Sequence, residues 1–179
     1  MVPTETEIKL RLPVAEAGRD ALRAAGASLV HPRELEDNLL FDDVGGALRA
    51  SGGVLRLRRR PRGGVLTFKG PRRIVEGLKT RDEIETEVKD PDALQLLLER
   101  LGFRRVFRYQ KYRETWSYSG QEVVVDETPI GDFLEIEGDA EGIHRAAAGL
   151  GFTPADYVTA SYVTLFFAAG GQGDMVFEK

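Results

Sequence analysis

Five stretches of this chain carry charges of like sign at every second position. Glu5 and Glu7 alternate with Thr6 and Ile8, and Lys9 follows on the same side. Arg56 and Arg58 alternate with Leu55 and Leu57. Glu83, Glu85 and Glu87 follow Arg81, Lys111 and Arg113 flank Tyr112, and Glu135 and Glu137 flank Ile136. Side chains i and i+2 of a strand share a face, so each stretch predicts a strand with one charged face. Half-exposed strands also alternate apolar and charged residues, and that solvated reading accounts for any one of them. It accounts poorly for the set, because like charges crowded on a strand face repel by about 0.2–1 kcal/mol per contact. The repeated pattern points to something held between the strands.

Turned inward, isolated charges would each cost several kcal/mol. Acidic and basic strands must then compensate each other, or be compensated by water or a ligand. An antiparallel sheet of about eight strands closed on itself has room for one small ligand. Glutamates on neighbouring strands suit a hard divalent cation such as Mg²⁺ or Mn²⁺. Arginine forks and lysine ammoniums suit phosphate oxygens. A metal-bound polyphosphate satisfies both sets.

The rest of the chain supports a barrel wrapped by helices. Residues 4–12, 39–42, 54–60, 65–69, 79–89, 104–118, 121–127 and 132–138 read as strands, with Pro61-Arg62-Gly63-Gly64 as a hairpin turn. Helices are expected over 14–25, with Val14, Ala17, Ala21 and Ala25 as the apolar stripe, over the leucines 94–101 after Asp90-Pro91, and near 140–150. Thr153-Pro154 opens a further helical segment, and the glycine-rich tail from Gly170 is expected to be loose, with Met175 to Phe177 able to dock. An acidic strand, a helix, a glycine stop and basic strands occur in 5–60 and again in 83–128. The expectation is an α+β fold: a closed antiparallel eight-stranded β-barrel with a charged interior and helices packed outside, one domain over residues 1–179.

Composition narrows the function classes. Charged residues make up 30% of the chain, yet the net charge is only -4, so the placement of each sign matters more than the total. The absence of cysteine excludes thiolate metal sites and fits a reducing compartment. Met1 to Lys9 has no signal-peptide pattern, and Val158 to Ala169 is too short and too polar to span a bilayer. The expectation is a cytoplasmic protein with no membrane partner. The basic run at 56–62 lacks the interleaved aromatics of a single-strand nucleic-acid site, so no nucleic-acid partner is expected either. His31 and His144 are not expected to be catalytic.

The ordered series of motifs resembles the CYTH (triphosphate tunnel) family. It begins with Glu5-x-Glu7-x-Lys9 and continues through Asp37-Asn38, Phe41-Asp42, Leu55-Arg56-Leu57-Arg58 and Thr67-Phe68-Lys69-Gly70. Arg81-x-Glu83-x-Glu85, Lys111-x-Arg113, Asp126 and Glu135-x-Glu137 complete it, and 157–166 is also similar. The resemblance implies an antiparallel eight-stranded tunnel. It implies that Glu5, Glu7, Glu135 and Glu137, with Asp126 alongside, hold Mg²⁺ or Mn²⁺. Arg56, Arg58, Lys69 and Arg113, helped by Lys111 and Arg81, would grip a triphosphate. Lys9 would bind phosphate near the scissile bond, and Glu83 and Glu85 would position a second metal or the attacking water.

The family includes inorganic triphosphatases, class IV adenylate cyclases and thiamine triphosphatases, so tripolyphosphate, ATP and thiamine triphosphate are the expected substrates. The cyclases carry a His-Phe pair before the acidic strand, where this chain has Met1-Val2-Pro3-Thr4. A thiamine ring would want an aromatic surface, and the single tryptophan, Trp116, reads as structural. Triphosphate hydrolysis therefore ranks first, cyclisation second and thiamine triphosphate hydrolysis third. A non-catalytic polyphosphate-binding module is the reading outside enzymology. The chain is expected to act as a monomer or homodimer.

Overall fold

The computed structural model describes residues 2–178, so Met1 and Lys179 of the expected 1–179 span lie outside the described residues. The chain runs β1 (Thr4–Leu12), α1 (Ala15–Ala24), β2 (Ser28–Asp43), α2 (Ala47–Ala50), β3 (Val54–Arg59), β4 (Gly64–Lys69), β5 (Arg73–Val75) and β6 (Leu78–Val88). It continues through α3 (Pro91–Arg100), β7 (Phe103–Tyr118), β8 (Gln121–Thr128), β9 (Gly131–Glu137), α4 (Ala140–Gly149), β10 (Tyr157–Val158) and α5 (Tyr162–Ala168). Asp90, Asp139 and Ser161 cap α3, α4 and α5 by accepting from backbone N–H groups of the first turn.

The strands form an antiparallel, ring-like sheet, and the expected closed eight-stranded barrel is corrected here. The sheet holds ten strands in the order β10-β1-β9-β8-β7-β2-β3-β4-β6-β5. An additional contact brings β1 against β6, but only over Thr4–Glu7 against Lys79–Asp82. At Lys9 and Leu10, β1 pairs instead with β10, and the short strand β5 is added on β6. A closed barrel leaves no strand edge, whereas β5 and β10 each pair with one strand in this sheet. Charge alternation marks strand faces; it is silent on edges, and neither Arg73–Val75 nor Tyr157–Val158 carries it.

Most of the apolar core lies outside the ring. Ile8, Leu10, Leu134 and Ile136 turn outward and are covered by Leu22 of α1 and by Ile143, Ala146 and Ala147 of α4. A second cluster sets Leu39, Phe41 and Leu57 against Leu98 of α3. Because side chains alternate, burying these residues outward drives the intervening charges inward, and a one-residue slip would exchange the two sets.

Two helix faces differ from the periodicity reading. The buried residues of α1 are Ala15, Gly18 and Leu22, with Val14 exposed. Gly18 sits so close to the sheet that a Cβ there would meet Leu12 Cδ1 at 2.7 Å. On α3 only Leu98 is buried, while Leu96, Leu97 and Leu101 remain exposed. Thr153-Pro154 does open a 3-10 turn over Pro154–Asp156. The tail also docks: Met175 exchanges backbone hydrogen bonds with Arg108 and Gln110 at 2.9 and 2.8 Å. Its side chain is fully buried beside Phe107, Tyr109, Phe133 and Tyr162.

Candidate active site

The inward residues converge on one cavity of about 990 Å³. Every site residue expected from the sequence lines it except Asp126, which points to the same inner face as Arg113 but is buried beneath the Arg113, Lys111 and Tyr162 side chains. The registers explain the convergence. Glu7 faces Glu137 and Lys9 faces Glu135 across β1–β9, while Glu5 and Glu7 face Arg81 and Lys79 across β1–β6. On the far side Leu40 and Asn38 face Arg56 and Arg58 across β2–β3, and Glu36 and Glu34 face Lys111 and Arg113 across β2–β7.

The wall of β1, β9 and β6 carries an excess of carboxylates, neutralised in part by lysines. Lys69 Nζ donates to both Glu5 oxygens at 2.8 and 2.7 Å and lies 2.8 Å from Glu83 Oε2. Lys9 Nζ sits 2.9 Å from Glu135 Oε1 and 3.4 Å from Glu7 Oε1, and Lys79 also bonds Glu7. Burial alone would lower the Lys9 pKa, but Glu135 and Glu7 hold it above the ordinary lysine value. Burial likewise opposes the charge of Glu7, and Lys9 and Lys79 overcome it. Two carboxyls stay undercompensated. Burial and a hydrogen bond to the Glu5 carboxylate push Glu83 up to about 8; burial with Glu5 and Glu7 pushes Glu137 up to about 7.

The wall of β2, β3 and β7 carries the opposite excess. Arg56 Nη2 donates to Thr67 Oγ1 at 3.0 Å and Glu85 Oε1 at 3.1 Å, while its buried Nε has no partner. Arg58 reaches Asn38 Oδ1 at 3.2 Å and Glu36 Oε1 at 2.9 Å. Burial and the neighbouring Arg56 lower the Arg58 pKa to about 10. Asp126, with 0% of its surface exposed, is saturated by donors. Arg113 gives it two hydrogen bonds at 2.7 and 2.6 Å, and Lys111 Nζ and the Tyr162 hydroxyl one each at 2.8 Å. Arg113 also bonds Glu135, joining the two walls. Arg81 spends its guanidinium on backbone carbonyls, Gly70 at 3.0 Å and Gly52 at 3.2 Å.

Several cavity residues escaped the sequence reading. Lys79 lies in phase with Arg81, Glu83 and Glu85, and that phase was the available signal. Glu36 is a buried acid inside the basic wall, and although burial opposes its charge, Lys111 and Arg58 hold its pKa down at about 2. Tyr109 and Tyr162 also line the cavity and carry no charge to mark them. His144 bonds and stacks on Tyr157, with Nδ1 to hydroxyl at 3.0 Å, and Trp116 belongs to the outer core.

The carboxylates fit a divalent cation in chemistry: hard oxygen donors, buried and crowded enough that Glu83 and Glu137 resist ionisation. Among the described residues no group of three or more His, Cys, Asp or Glu side chains is arranged to hold a metal. Lysines occupy oxygens that a cation would use.

Comparison with known proteins agrees with this layout. The CYTH domain family matches residues 3–150. A provisionally named adenylate cyclase of Methanocaldococcus jannaschii is 27% identical over 142 residues, covering 79% of this chain and 80% of that protein. The structure of the PH1819 protein of Pyrococcus horikoshii superposes with a TM-score of 0.75 at 27% identity, covering 92% of this chain and 99% of the other. HpAC1 of Hippeastrum, a provisionally named adenylyl cyclase described as having a dominant triphosphatase activity, gives a TM-score of 0.71 at 25% identity and covers 94% and 97%. No helix among the described residues is long and apolar enough to cross a membrane.

Proposed function

This chain belongs to the CYTH family, and on that footing we propose that it hydrolyses the terminal phosphoryl group of a triphosphate with the help of Mg²⁺ or Mn²⁺. The observation that carries the reading is a single cavity with a carboxylate-rich wall facing an arginine-rich one. A polyphosphate with its cation is the small ligand that presents both charges to such a cavity. The triphosphatase activity described for HpAC1 favours hydrolysis over cyclisation.

Glu5, Glu7, Glu135 and Glu137 would hold the cation, which when bound polarises phosphoryl oxygens and lowers the pKa of water. Phosphoryl transfer asks the protein mainly for positioning and charge neutralisation. Arg56, Arg58, Lys111 and Arg113 grip the phosphate oxygens, with the free Nε of Arg56 available to one of them. Asp126 keeps the Arg113 fork and the Lys111 ammonium aimed by accepting from both. Lys9 and Lys69 exchange a carboxylate partner for phosphate oxygen. Glu83 and Glu85 orient the attacking water, while Arg81, tied to two carbonyls, holds the wall beside Glu5.

The test is release of phosphate, pyrophosphate and cyclic AMP from tripolyphosphate, ATP and thiamine triphosphate with Mg²⁺ or Mn²⁺, for the native protein, Glu5→Gln and Arg56→Ala. Metal-dependent phosphate release lost in both variants is the expected result. Cyclic AMP with pyrophosphate would replace hydrolysis by cyclisation, and binding without turnover would leave a polyphosphate-binding module.

A further inference from the structure

One uncharged side chain touches both walls of the cavity. Tyr162 opens α5, lines the cavity and is 6% exposed. Lys9 Nζ, from the acidic wall, lies 4.9 Å from the centroid of its ring, and Lys111 Nζ, from the basic wall, 5.3 Å. Both distances fall within the reach of a cation over an aromatic face. The Tyr162 hydroxyl donates to Asp126 Oδ2 at 2.8 Å, an oxygen that also accepts from Lys111 and Arg113. The ring itself is clamped. Phe133 meets it edge-on with 5.2 Å between centroids, and the buried Met175 of the docked tail packs in the same cluster. Ser161 fixes the start of the helix by accepting from Thr164 N–H at 3.1 Å. α5 lies beyond residues 3–150, the part that matches the family.

Carboxylates alone do not fix where these two lysines stand while an anion binds. Lys9 sits on Glu135 and Glu7, and Lys111 on Asp126. Both ammoniums are buried. A phosphate oxygen arriving between the walls draws each of them from a carboxylate, and an ammonium on a flexible stem is free to shift with it. The face of an aromatic ring attracts a cation without carrying a net charge. It therefore makes no ion pair for the phosphate to displace, and it stays under the ammonium throughout. An aliphatic side chain in its place would fill the space and offer neither the face nor the hydroxyl.

We propose that Tyr162 is a positioning residue for anion binding. Its ring is the seat of the Lys9 and Lys111 ammoniums, and its hydroxyl holds Asp126, so both lysines keep their places when a phosphate oxygen takes over from a carboxylate. The proposal rests on the triphosphate reading of the cavity and makes α5 part of its machinery.

The test compares the native protein with Tyr162→Phe, which keeps the ring, and Tyr162→Leu, which loses it. Thermal melts check folding, and Tyr162→Met replaces Tyr162→Leu if the latter does not fold. The first readout is the proton NMR spectrum without ligand. A ring current shields nuclei over its face, so the ε-methylene signals of Lys9 and Lys111, assigned through Lys9→Arg and Lys111→Arg, are expected upfield of the other lysines. They should stay there in Tyr162→Phe and return to ordinary positions in Tyr162→Leu. The second readout is binding of tripolyphosphate with Mg²⁺ by titration calorimetry. Tyr162→Leu should weaken it by about tenfold, the scale of lost cation–π contacts, with Tyr162→Phe within about threefold of native. Ordinary lysine signals in the native protein, full binding by Tyr162→Leu, or equal losses in both variants overturn the seat and leave the triphosphate reading intact. A native protein that does not bind tripolyphosphate overturns both.

Discussion

The two walls of the cavity handle surplus charge differently. Against β1, β9 and β6 the compensating groups are mostly lysines: Lys9, Lys79 and, from β4, Lys69 each lie against one or two glutamates, while Arg56 and Arg113 reach across to Glu85 and Glu135. On β2, β3 and β7 the surplus is arginine and lysine, organised by buried acids. Asp126 aligns Arg113 and Lys111, and Glu36 pairs with Arg58. An ammonium is a compact point charge on a flexible stem, whereas a guanidinium is a rigid fork. The acidic wall is therefore built of contacts that a competing cation can displace, and the basic wall of contacts that hold donors in fixed directions. That difference separates displaceable contacts from fixed ones.

Changes in the fixed wall should have the largest effects. Arg113→Ala removes a proposed phosphate donor and strips Asp126 of two of its bonds. The expected result is a loss of about 10²–10³ in kcat/KM for tripolyphosphate, measured by steady-state phosphate release. A loss below tenfold would mean that Arg113 serves the wall alone.

Next is the acid inside the basic wall. The folded pKa of Glu36 is about 2, below the ordinary 4.5. A depressed carboxylate contributes stability that is present above the unfolded value and lost as pH falls through the folded one. Urea melts from pH 5.5 to 2.5 should show the native protein losing on the order of 2 kcal/mol that Glu36→Gln does not lose. Parallel pH profiles for the two proteins would remove Glu36 as the organiser of Arg58.

The exchangeable wall gives a smaller and more selective effect. Glu7→Gln should raise the Mn²⁺ concentration for half-maximal activity by about tenfold or more, while Arg58→Ala should raise the KM for triphosphate and leave the metal requirement unchanged. Metal titrations of both variants check the division, and a shift of the metal requirement in both would erase it.

Outside the cavity the contrast should vanish. Arg73 and Asp82 form an ion pair at 3.0 Å with both side chains about half exposed. Arg73→Ala should change stability by less than about 1 kcal/mol in thermal melts.

The charged faces were legible because the alternation of β1, β3, β6, β7 and β9 is written residue by residue, and outward burial of Ile8, Leu57 or Ile136 fixes which face turns in. What was not legible depends on partners distant in sequence. Asp126 looked like one more carboxylate for the metal; its place opposite Arg113 is set by the β7–β8 register. Glu36 alternates with Glu34 around Leu35, but its place among basic residues is set by the β2–β3 and β2–β7 registers. The buried face of α1 was misassigned because Gly18, which has no side chain to bury, lets the helix backbone approach Leu12 and Leu134. Whether the ring closes was also invisible, since short strands such as β5 and β10 compete for edges rather than faces.

The pairing of β1 fixes when the protein can come together during its synthesis. β1 holds Glu5, Glu7 and Lys9, and its long partner β9 begins only at Gly131. At about 5–20 residues per second, the first strand waits roughly 6–24 s for that partner to emerge from the ribosome. During that interval the hairpin of β3 and β4 has both its strands, and they are only a few residues apart in sequence. β6, which carries Glu83 and Glu85 and pairs with both β4 and β1, is complete well before β9, so the β1–β9 pair is the last part of the acidic wall to form. Contacts this distant in sequence also slow folding, which makes pairing of β1 with β9 the expected last step and places the facing carboxylates of those two strands among the final parts of the molecule to come together.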